Sequence, residues 1–297
     1  MDPSNFCKNR LKSSVMDTVR VIVVTHNNKD VLPRCLRALN EQTYRKCKLT
    51  VVDNASSDGS LDVAKEYVPD AKRIHLNTNT GFAKANNMAF EQSEEEYVFL
   101  LNPDCFLGPN YIQEMVNVMK ENLKIASCTG VLYLDEQCSQ VDTAGLVLKP
   151  WHKIEERKEE GAGEVWGVSG AALFFRRSAV TELHQPLFDP WFHSYKEDAD
   201  LAYRLRNAGW ISWCTNQAKA IHLRGVGVNI TRSERLLQNR YWSYRNHIWI
   251  LLKNVSTKTW ISKGVFILIY EILKALYLLV KEPKVLVKAW KDIIRVV

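Results

Sequence analysis

Three clusters of polar residues accompany short apolar runs in the first third of the chain. Thr25 ends the run VRVIVVT and Asn27 follows it, Asp53 opens the segment DNASSDGS, and Asn102 and Asp104 frame the tripeptide NPD. A single aspartate after a strand is most often a turn residue or a helix cap. Three such clusters in consecutive units would line one edge of one sheet, which capping alone does not require.

These residue types suit the chemistry of a nucleoside diphosphate. A carboxylate accepts the imide N–H of a uracil or thymine ring. A second carboxylate holds a divalent cation, which neutralises a pyrophosphate leaving group. Because Mg²⁺ keeps few protein ligands beside phosphate oxygens, one aspartate and one further ligand would suffice.

A fourth polar cluster, EDAD, begins at Glu197 and contains Asp198. Acidic residues at the start of a helix complement the helix dipole. A carboxylate beside an attacking hydroxyl also serves as a general base. The rings of Trp191 and its neighbours precede the cluster and suit sugar faces, so helix cap and general base remain equally open.

One histidine, His222, ends the segment AIHLRG. A lone histidine is usually structural. Here Arg224 and two glycines follow it, and a flexible basic loop of this kind is suited to covering a pyrophosphate.

The apolar pattern of the first half predicts the elements that position these residues. Short buried runs alternate with helical stretches, an order typical of a mostly parallel, doubly wound α/β sheet. The predicted strands are Val19–Thr25, 48–52, 73–76 and 97–101, and the predicted helices 57–67, 82–92 and 109–121. Farther on, we expect a surface loop, a strand crossing the site, a helix and two short strands, at 149–163, 165–176, 197–208, 211–214 and 220–223.

Composition and charge divide the chain. With 46% hydrophobic and 25% charged residues, wholesale disorder is excluded. The chain carries a net charge of +7, but residues 231–297 hold 13 Lys/Arg and 4 Asp/Glu, a net +9, so the remainder is at −2.

The seven cysteines include no CxxC pair, which argues against a zinc site or a disulfide framework and suits a reducing compartment. Residues 1–17 lack an apolar signal core, so a flexible N-terminal arm is expected.

The C-terminal segment is apolar but interrupted. Residues 263–280 read KGVFILIYEILKALYLLV, with Glu271 and Lys274 inside the run. A membrane-spanning helix needs about 20 mainly apolar residues. We therefore favour a helix lying on an anionic membrane surface, where nearby tryptophans and basic charge fit. The alternatives are a helical subdomain packed on the core and a dimer contact.

Seven segments together resemble the family 2 glycosyltransferases of GT-A fold, especially their rhamnosyltransferase-like branch. In chain order they are VVTHNN, VVDNASSDGS, NTNTGFAKANN, EYVFLLNPD, SGAALFFRR, FDPWFHSYKEDADLAYRLRNAGW and AIHLRG. The resemblance runs from about residue 19 to residue 245. It implies a GT-A-type (nucleotide-diphospho-sugar transferase) sheet with a C-terminal helical extension. We divide the chain into a catalytic domain at 18–230, with a nucleotide-binding half at 18–105 and an acceptor half at 106–230, and a basic amphipathic tail at 231–297.

The resemblance also implies roles for the matching positions. Nucleobase and ribose contacts fall to Thr25, Asn27 and Asp53. The loop that closes over the nucleotide is represented by Asn79, Gly81, Phe82 and Asn86. The metal ligands are Asp104 and His222, and the catalytic base is Asp198. Donor sugar and acceptor are bordered by Ser169, Gly170 and Ala171, near which we place Trp191, Glu197 and Arg224. Asn102 stands where many members carry the first acid of Asp-x-Asp, which weakens a two-carboxylate metal site.

The implied activity is inverting transfer, with Mg²⁺ or Mn²⁺, from dTDP-rhamnose or a UDP-sugar. The expected acceptor is a hydroxyl of a glycan or lipid-linked glycan in cell-surface polysaccharide synthesis. We expect a cytoplasmic enzyme bound peripherally to the inner face of the membrane, without a nucleic-acid partner, and the C-terminal helices offer a surface for a homodimer. One rival is a sugar nucleotidyltransferase, although THNNKD lacks the glycine of their phosphate loop. The other is a non-catalytic sugar-nucleotide-binding protein, against which Asp104, Asp198 and His222 argue.

Overall fold

The computed structural model describes residues 18–224 and 232–295, with side chains from residue 236 onward in the second range. The predicted N-terminal arm and the glycines after Arg224 lie outside the described residues. The first half follows the predicted alternation closely. Its elements are β1 (Val19–Thr25), α1 (Leu32–Asn40), β2 (Cys47–Asn54), α2 (Ser60–Tyr67), β3 (Lys72–Leu76), α3 (Gly81–Glu91) and β4 (Tyr97–Leu101).

The second half of the catalytic region contains more strands than the sequence pattern predicts. Its elements are β5 (Cys105–Leu107), α4 (Tyr111–Glu121), β6 (Ile125–Tyr133), β7 (Val141–Thr143), β8 (Leu146–Leu148), β9 (Ile154–Glu156), β10 (Gly163–Val165), β11 (Ala172–Arg176), α5 (Arg177–Thr181), α6 (Glu197–Asn207) and β12 (Ile211–His222). A 3-10 turn at Pro190–Phe192 precedes α6. Three helices follow: α7 (Arg232–Asn254), α8 (Thr257–Lys281) and α9 (Pro283–Ile294).

One ten-stranded sheet forms the centre, in the order β10-β12-β6-β11-β4-β1-β2-β3, with β5 beside β12 and β7 beside β6. Strands β3, β2, β1 and β4 are parallel, and β12 is parallel to β6. Strand β11 runs antiparallel between β4 and β6. The prediction of a mostly parallel, doubly wound sheet is confirmed, with antiparallel strands added in the second half.

Alternate residues of β1 point into two cores, one on each face of the sheet. Val21 and Val23 pack with α1 and α4, whereas Ile22 packs with α3 and α6. This alternation is the two-residue period of a strand. Burying both faces explains why β1 reads as a continuous apolar run rather than an alternating one.

Three expectations for the middle of the chain were wrong in detail. Residues 149–163 are not only a loop, because Ile154 is buried and anchors β9 against β8. The strand predicted at 165–176 begins only at Ala172, since a turn precedes it in which Ser169 O accepts the amide of Ala172. The two strands predicted at 211–214 and 220–223 are one bulged strand, β12, because both parts pair with β6 across a register shift.

Helix α8 turns two charged residues, Glu271 and Lys274, inward and exposes most of its apolar residues. Glu271 accepts a hydrogen bond from buried His247 at 2.7 Å, and the Lys274 ammonium lies 5.0 Å from the Tyr244 ring centre. Burial lowers the pKa of Lys274 to about 8. The apolar face of α8, defined here by eight side chains that are each 52–69% exposed, comprises Val265, Phe266, Leu268, Ile269, Ile272, Leu273, Leu276 and Leu279. Among the described residues, no helix has the length and apolar composition needed to cross a membrane.

Candidate active site

The carboxyl ends of β1 and β2 bring the first polar clusters together. Thr25 lies opposite Asp53 in the parallel register. Asn27 has a positive φ of 56°, and its side-chain oxygen accepts the amide of Ser57 at 2.8 Å. One Asp53 oxygen bonds to His75 at 2.8 Å, and the other accepts an amide proton at 3.2 Å. The residues predicted to contact the nucleobase therefore lie next to one another at one edge of the sheet.

The loop before α3 is held by a short amide network. Asn79 Oδ1 accepts from Asn54 Nδ2 at 3.1 Å and from the amide of Gly81 at 2.9 Å. Gly81 has a φ of +84°, and a Cβ there would lie 2.6 Å from the carbonyl oxygen of His193. Asn86 donates to the carbonyl of Phe82 at 2.9 Å. This close approach requires glycine and joins the nucleotide loop to the segment before α6.

A cavity of about 450 Å³ opens at the same edge of the sheet. Ten residues of the predicted site line it: Phe82, Asn102, Asp104, Ser169, Gly170, Ala171, Glu197, Asp198, His222 and Arg224. The remaining predicted residues do not line it: Thr25, Asn27, Asp53, Asn79, Gly81, Asn86 and Trp191. Of these, Trp191 is 62% exposed, because its aromatic ring points to solvent from the 3-10 turn.

Pairing of β5 with β12 brings Asp104 and His222 together. His222 lies opposite Cys105, and its Nε2 is 3.3 Å from Asp104 Oδ1. Its Nδ1 bonds to buried Asp142 at 2.7 Å, which fixes the ring and points Nε2 at Asp104. Burial lowers the pKa of His222, but its hydrogen bonds to Asp104 and Asp142 outweigh burial and raise the pKa to about 9.

This pair fits a divalent cation that is completed by its substrate. Within residues 18–224 and 232–295, no group of three or more His, Cys, Asp or Glu residues is arranged to hold a metal ion. A carboxylate and an imidazole that converge on one point, with the other imidazole nitrogen anchored to a carboxylate, are nevertheless a common protein contribution to such a site. Phosphate oxygens and water would supply the remaining ligands.

Asp198 projects from the first turn of α6 into the cavity. Its Oδ2 accepts the amide of Gly170 at 2.9 Å, and its Oδ1 accepts the amide of Ala199 at 2.7 Å. The carboxylate thus touches both its own helix and the turn before β11. Asp198 both contacts an amide of its own helix and lines the cavity, and its role as general base stays a prediction.

Comparison with known proteins identifies the architecture. The sequence model described as glycosyl transferase family 2 matches residues 20–183, more than half of the chain. The chain belongs to glycosyltransferase family 2. It is 27% identical over 236 residues to an N-acetylglucosaminyl-diphospho-decaprenol L-rhamnosyltransferase of Mycobacterium tuberculosis, covering 69% of this chain and 76% of the relative. The suspected resemblance to this family is confirmed.

Solved structures confirm the GT-A fold of this glycosyltransferase. S. aureus TarS aligns with a TM-score of 0.56 at 18% identity, over 82% of this chain and 41% of that structure. GalNAc-T7, crystallised with UDP, GalNAc and Mn²⁺, aligns with a TM-score of 0.61 at 14% identity, over 79% of this chain and 47% of that structure. This chain therefore spans less than half of either protein's length.

The segment before the Asp198 helix is strained, and it is held by a residue that sequence reasoning missed. His193, Tyr195 and Lys196 have positive φ angles of 59°, 71° and 72°. Nδ2 of Asn246, a fully buried side chain in the middle of α7, donates to the carbonyls of Phe192, Ser194 and Tyr195, at 3.1, 3.0 and 2.6 Å. No local pattern marks an asparagine inside a helix for this role.

Two further acids in the cavity of this glycosyltransferase have a buried oxygen without a hydrogen-bond partner. One oxygen of Glu156 binds Ser169 and Arg224, each at 3.2 Å, while its Oε2 has no partner, and Oε2 of Glu197 is likewise unsatisfied. Burial, followed by the charge of Asp198, raises the pKa of both acids, for Glu197 to about 8. Sequence analysis placed Glu156 in a surface loop, because β9 is short and rich in charged residues.

We expect the raised pKa of Glu197 to make stability fall at alkaline pH. A carboxyl whose pKa is higher in the folded state binds its proton more tightly when the protein is folded. Its contribution to the free energy of unfolding is therefore fully present below the pKa that it has in the unfolded state. That contribution is lost as the pH rises through about 8, where the buried group must ionise beside Asp198. Urea unfolding of the wild type and Glu197→Gln at pH 6 and pH 9 measures the effect.

The glutamine variant should lose less free energy of unfolding between the two pH values than the wild type. Glu114→Gln, an acid in the first turn of α4, is the control and should follow the wild-type profile. Parallel profiles for the wild type and Glu197→Gln would show that Glu197 is already ionised at pH 6.

Proposed function

We propose that this glycosyltransferase moves a sugar from dTDP-rhamnose or a UDP-sugar to a hydroxyl of a lipid-linked glycan, with inversion at the anomeric carbon. The observation that carries the proposal is one cavity lined both by the Asp104–His222 pair and by Asp198. The pair suits a diphosphate leaving group, and the carboxylate suits an attacking hydroxyl. The similar Mycobacterium tuberculosis enzyme is named for rhamnosyl transfer to a diphospho-decaprenol acceptor.

The chemical roles follow from the groups that face the cavity. Asp198 takes the proton of the acceptor hydroxyl as its oxygen attacks the anomeric carbon opposite the leaving diphosphate, and one displacement inverts the configuration. Burial, followed by the charge of Asp198, raises the pKa of Glu156 and of Glu197, and their unsatisfied oxygens are suited to hydrogen bonds with sugar hydroxyls. Arg224, paired with Asp142 at 2.5 Å and with Glu156, brings positive charge to the same wall.

Asp104 and His222 would hold Mg²⁺ or Mn²⁺ against the diphosphate, and the cation would supply charge neutralisation to the leaving group. Asp142 contributes by fixing the imidazole. Burial raises the pKa of Asp142. Hydrogen bonding to His222 and the charge of Arg224 outweigh burial and hold that pKa below its usual range. That ionised carboxylate keeps Nδ1 as the proton-bearing nitrogen of His222 and leaves Nε2 to the cation.

A donor-binding experiment tests the proposed nucleotide class. UDP and dTDP should bind more tightly than GDP, because Asp53 accepts the N3–H of a pyrimidine imide. Losing a hydrogen bond to a charged group costs about 1.5–3 kcal/mol, so Asp53→Ala should weaken UDP binding about 10–100-fold. Calorimetric titration of UDP, dTDP and GDP measures this.

The exposed Asp70→Ala variant is the matched control and should bind UDP as the wild type does. His75→Ala tests whether losing the hydrogen bond between His75 and Asp53 is by itself enough to weaken UDP binding. GDP binding as tightly as UDP would contradict the assignment of Asp53, and metal-dependent hydrolysis of the donor sugar would separate an enzyme from a binding protein.

The apolar face of α8 supports a peripheral position on an anionic membrane. The same helix contacts the segment before β9, since the rings of Tyr270 and Trp151 stack with centroids 5.7 Å apart, and residues of β9 line the cavity. A membrane-bound α8 would therefore bring the cavity close to a lipid-linked acceptor. Positive charge in residues 231–297 adds attraction of about 1 kcal/mol for each basic residue near the surface, and salt screens it.

We expect the 297-residue chain to sediment with vesicles of anionic phospholipid and to be released partly by high salt. Fully burying a leucine or isoleucine is worth about 1.5–3 kcal/mol, so Ile272→Gln/Leu276→Gln should weaken vesicle binding at least about tenfold. Leu123→Gln is the control, because Leu123 is 74% exposed on another part of the molecule. Equal sedimentation of both variants, or a wild type that ignores vesicles and forms a dimer through α8, would contradict a membrane role.

A further inference from the structure

A second groove lies between α7 and the turn from α8 to α9. It has a volume of about 510 Å³. Its lining residues combine apolar and basic side chains: Leu237, Gln238, Tyr241, Lys281, Glu282, Pro283, Lys284, Val285 and Lys288. Leu237 is 45% exposed there, and Tyr241 and Val285 are each 7% exposed. The groove therefore has an apolar floor that is open to solvent.

The charge in this groove is positive. Three lysines line it: Lys281, Lys284 and Lys288. Among the residues whose side chains the structure describes, Glu282 is the one carboxylate that lines the groove, and it is neutralised by an ion pair with Arg240. The Lys288 ammonium lies 4.4 Å from the centre of the Tyr241 ring, which holds this cation at the groove wall. A ligand for this groove should thus pair an apolar chain with an anionic group.

We propose that this groove binds the isoprenoid-diphosphate part of the acceptor, with the first isoprene units on the apolar floor and the diphosphate on the lysines. This inference rests on the proposed function. It deepens that function by naming where the lipid end of the acceptor is held, apart from the cavity that holds the reacting groups.

Two further observations favour this occupant. First, the groove continues from the apolar face of α8, because Lys281 ends that helix and the exposed Val280 precedes it. An isoprenoid chain could therefore pass from the groove to the membrane surface along apolar side chains. Second, Ser243 of the same helix α7 lines the catalytic cavity, two residues after Tyr241. Because residues two apart point to nearly opposite sides of a helix, groove and cavity lie on opposite sides of α7, which is about 10–12 Å across.

Titration of the 297-residue chain with farnesyl diphosphate, followed by tryptophan fluorescence, tests the proposal. Farnesyl diphosphate should bind at least about tenfold more tightly than farnesol or inorganic pyrophosphate. Farnesol lacks the anionic group that the lysines would bind, and pyrophosphate lacks the apolar chain. Lys284→Glu/Lys288→Glu should weaken binding of farnesyl diphosphate at least about tenfold and leave farnesol unaffected. Leu237→Gln should weaken farnesyl diphosphate and farnesol but leave pyrophosphate unaffected.

Lys258→Glu is the control, because it reverses an exposed charge at the other end of α8 and should bind farnesyl diphosphate normally. Unchanged binding in the double lysine variant would overturn the proposal. So would displacement of farnesyl diphosphate by anionic phospholipid vesicles, which would make the groove a general headgroup site. UDP binding is measured on the same samples, so that the proposed donor and the proposed groove ligand are tested separately. A protein that binds farnesyl diphosphate but not UDP would contradict the proposed donor and leave the groove proposal standing.

Discussion

Replacing Asp198 with asparagine is expected to lower turnover by about 10²–10⁴-fold, the usual worth of a general base, while donor affinity stays close to that of the wild type. Asparagine keeps the size of the side chain and one acceptor oxygen, which can accept the amide of Gly170 or that of Ala199 but not both, because its Nδ2 only donates. It therefore removes the capacity to take a proton at the cost of one amide hydrogen bond, and the variant's free energy of unfolding is measured alongside turnover. Rapid-quench measurement of sugar transfer, with UDP binding on the same samples, separates the two effects.

A comparison with Asp62→Asn distinguishes catalysis from helix stabilisation. Asp62 is an exposed acid in the first turn of α2, so its loss affects only the helix dipole and a surface ion pair. If Asp198 merely complements its own helix, both variants should lose a little stability and retain turnover. A product of retained anomeric configuration would rule out the single displacement altogether.

Replacing Asp104 with alanine is expected to reduce transfer about a thousandfold or more, because a cation contributes several kcal/mol of charge stabilisation and each 1.36 kcal/mol is about a factor of ten. The loss should be matched in the wild type by a chelator and reversed there by adding Mn²⁺. His222→Ala should show a smaller loss that excess Mn²⁺ partly restores, since Asp104 remains. Calorimetric Mn²⁺ binding in the presence of UDP provides a readout independent of turnover.

The matched control for this variant is Asp135→Ala, an acid in the exposed turn after β6. It should bind Mn²⁺ and transfer sugar as the wild type does. Transfer by Asp104→Ala at the wild-type rate, or transfer that persists in excess chelator, would show that the diphosphate leaves without a metal ion.

The first half of the fold was readable from sequence because its signals are local. Strand β1 is a continuous apolar run, and the polar residue that ends it must meet the end of β2 in a parallel register, as Thr25 and Asp53 do. Residues that act at a distance gave no such signal. Glu156 lies in a three-residue strand whose pairing depends on β8, and Asn246 acts through carbonyls about fifty positions earlier in the chain.

Helix α8 shows a second reason for the limits of sequence reasoning. Glu271 and Lys274 interrupt an apolar run, and a reading that sends apolar residues inward would expose them. The structure instead turns these charges toward His247 and Tyr244 and leaves the apolar residues outside. Periodicity identified an amphipathic helix, but it could not say which face meets the protein.

The clamp made by Asn246 limits how acceptor preference can be exchanged between relatives. The backbone beside the proposed acceptor site, Phe192 to Tyr195, belongs to one stretch of the chain, and the amide that holds it comes from a helix after β12. A chimera with its crossover between these positions would join one parent's loop to the other parent's clamp. Grafting a new acceptor side onto this scaffold should therefore succeed only when residues 190–254 are transplanted as one block.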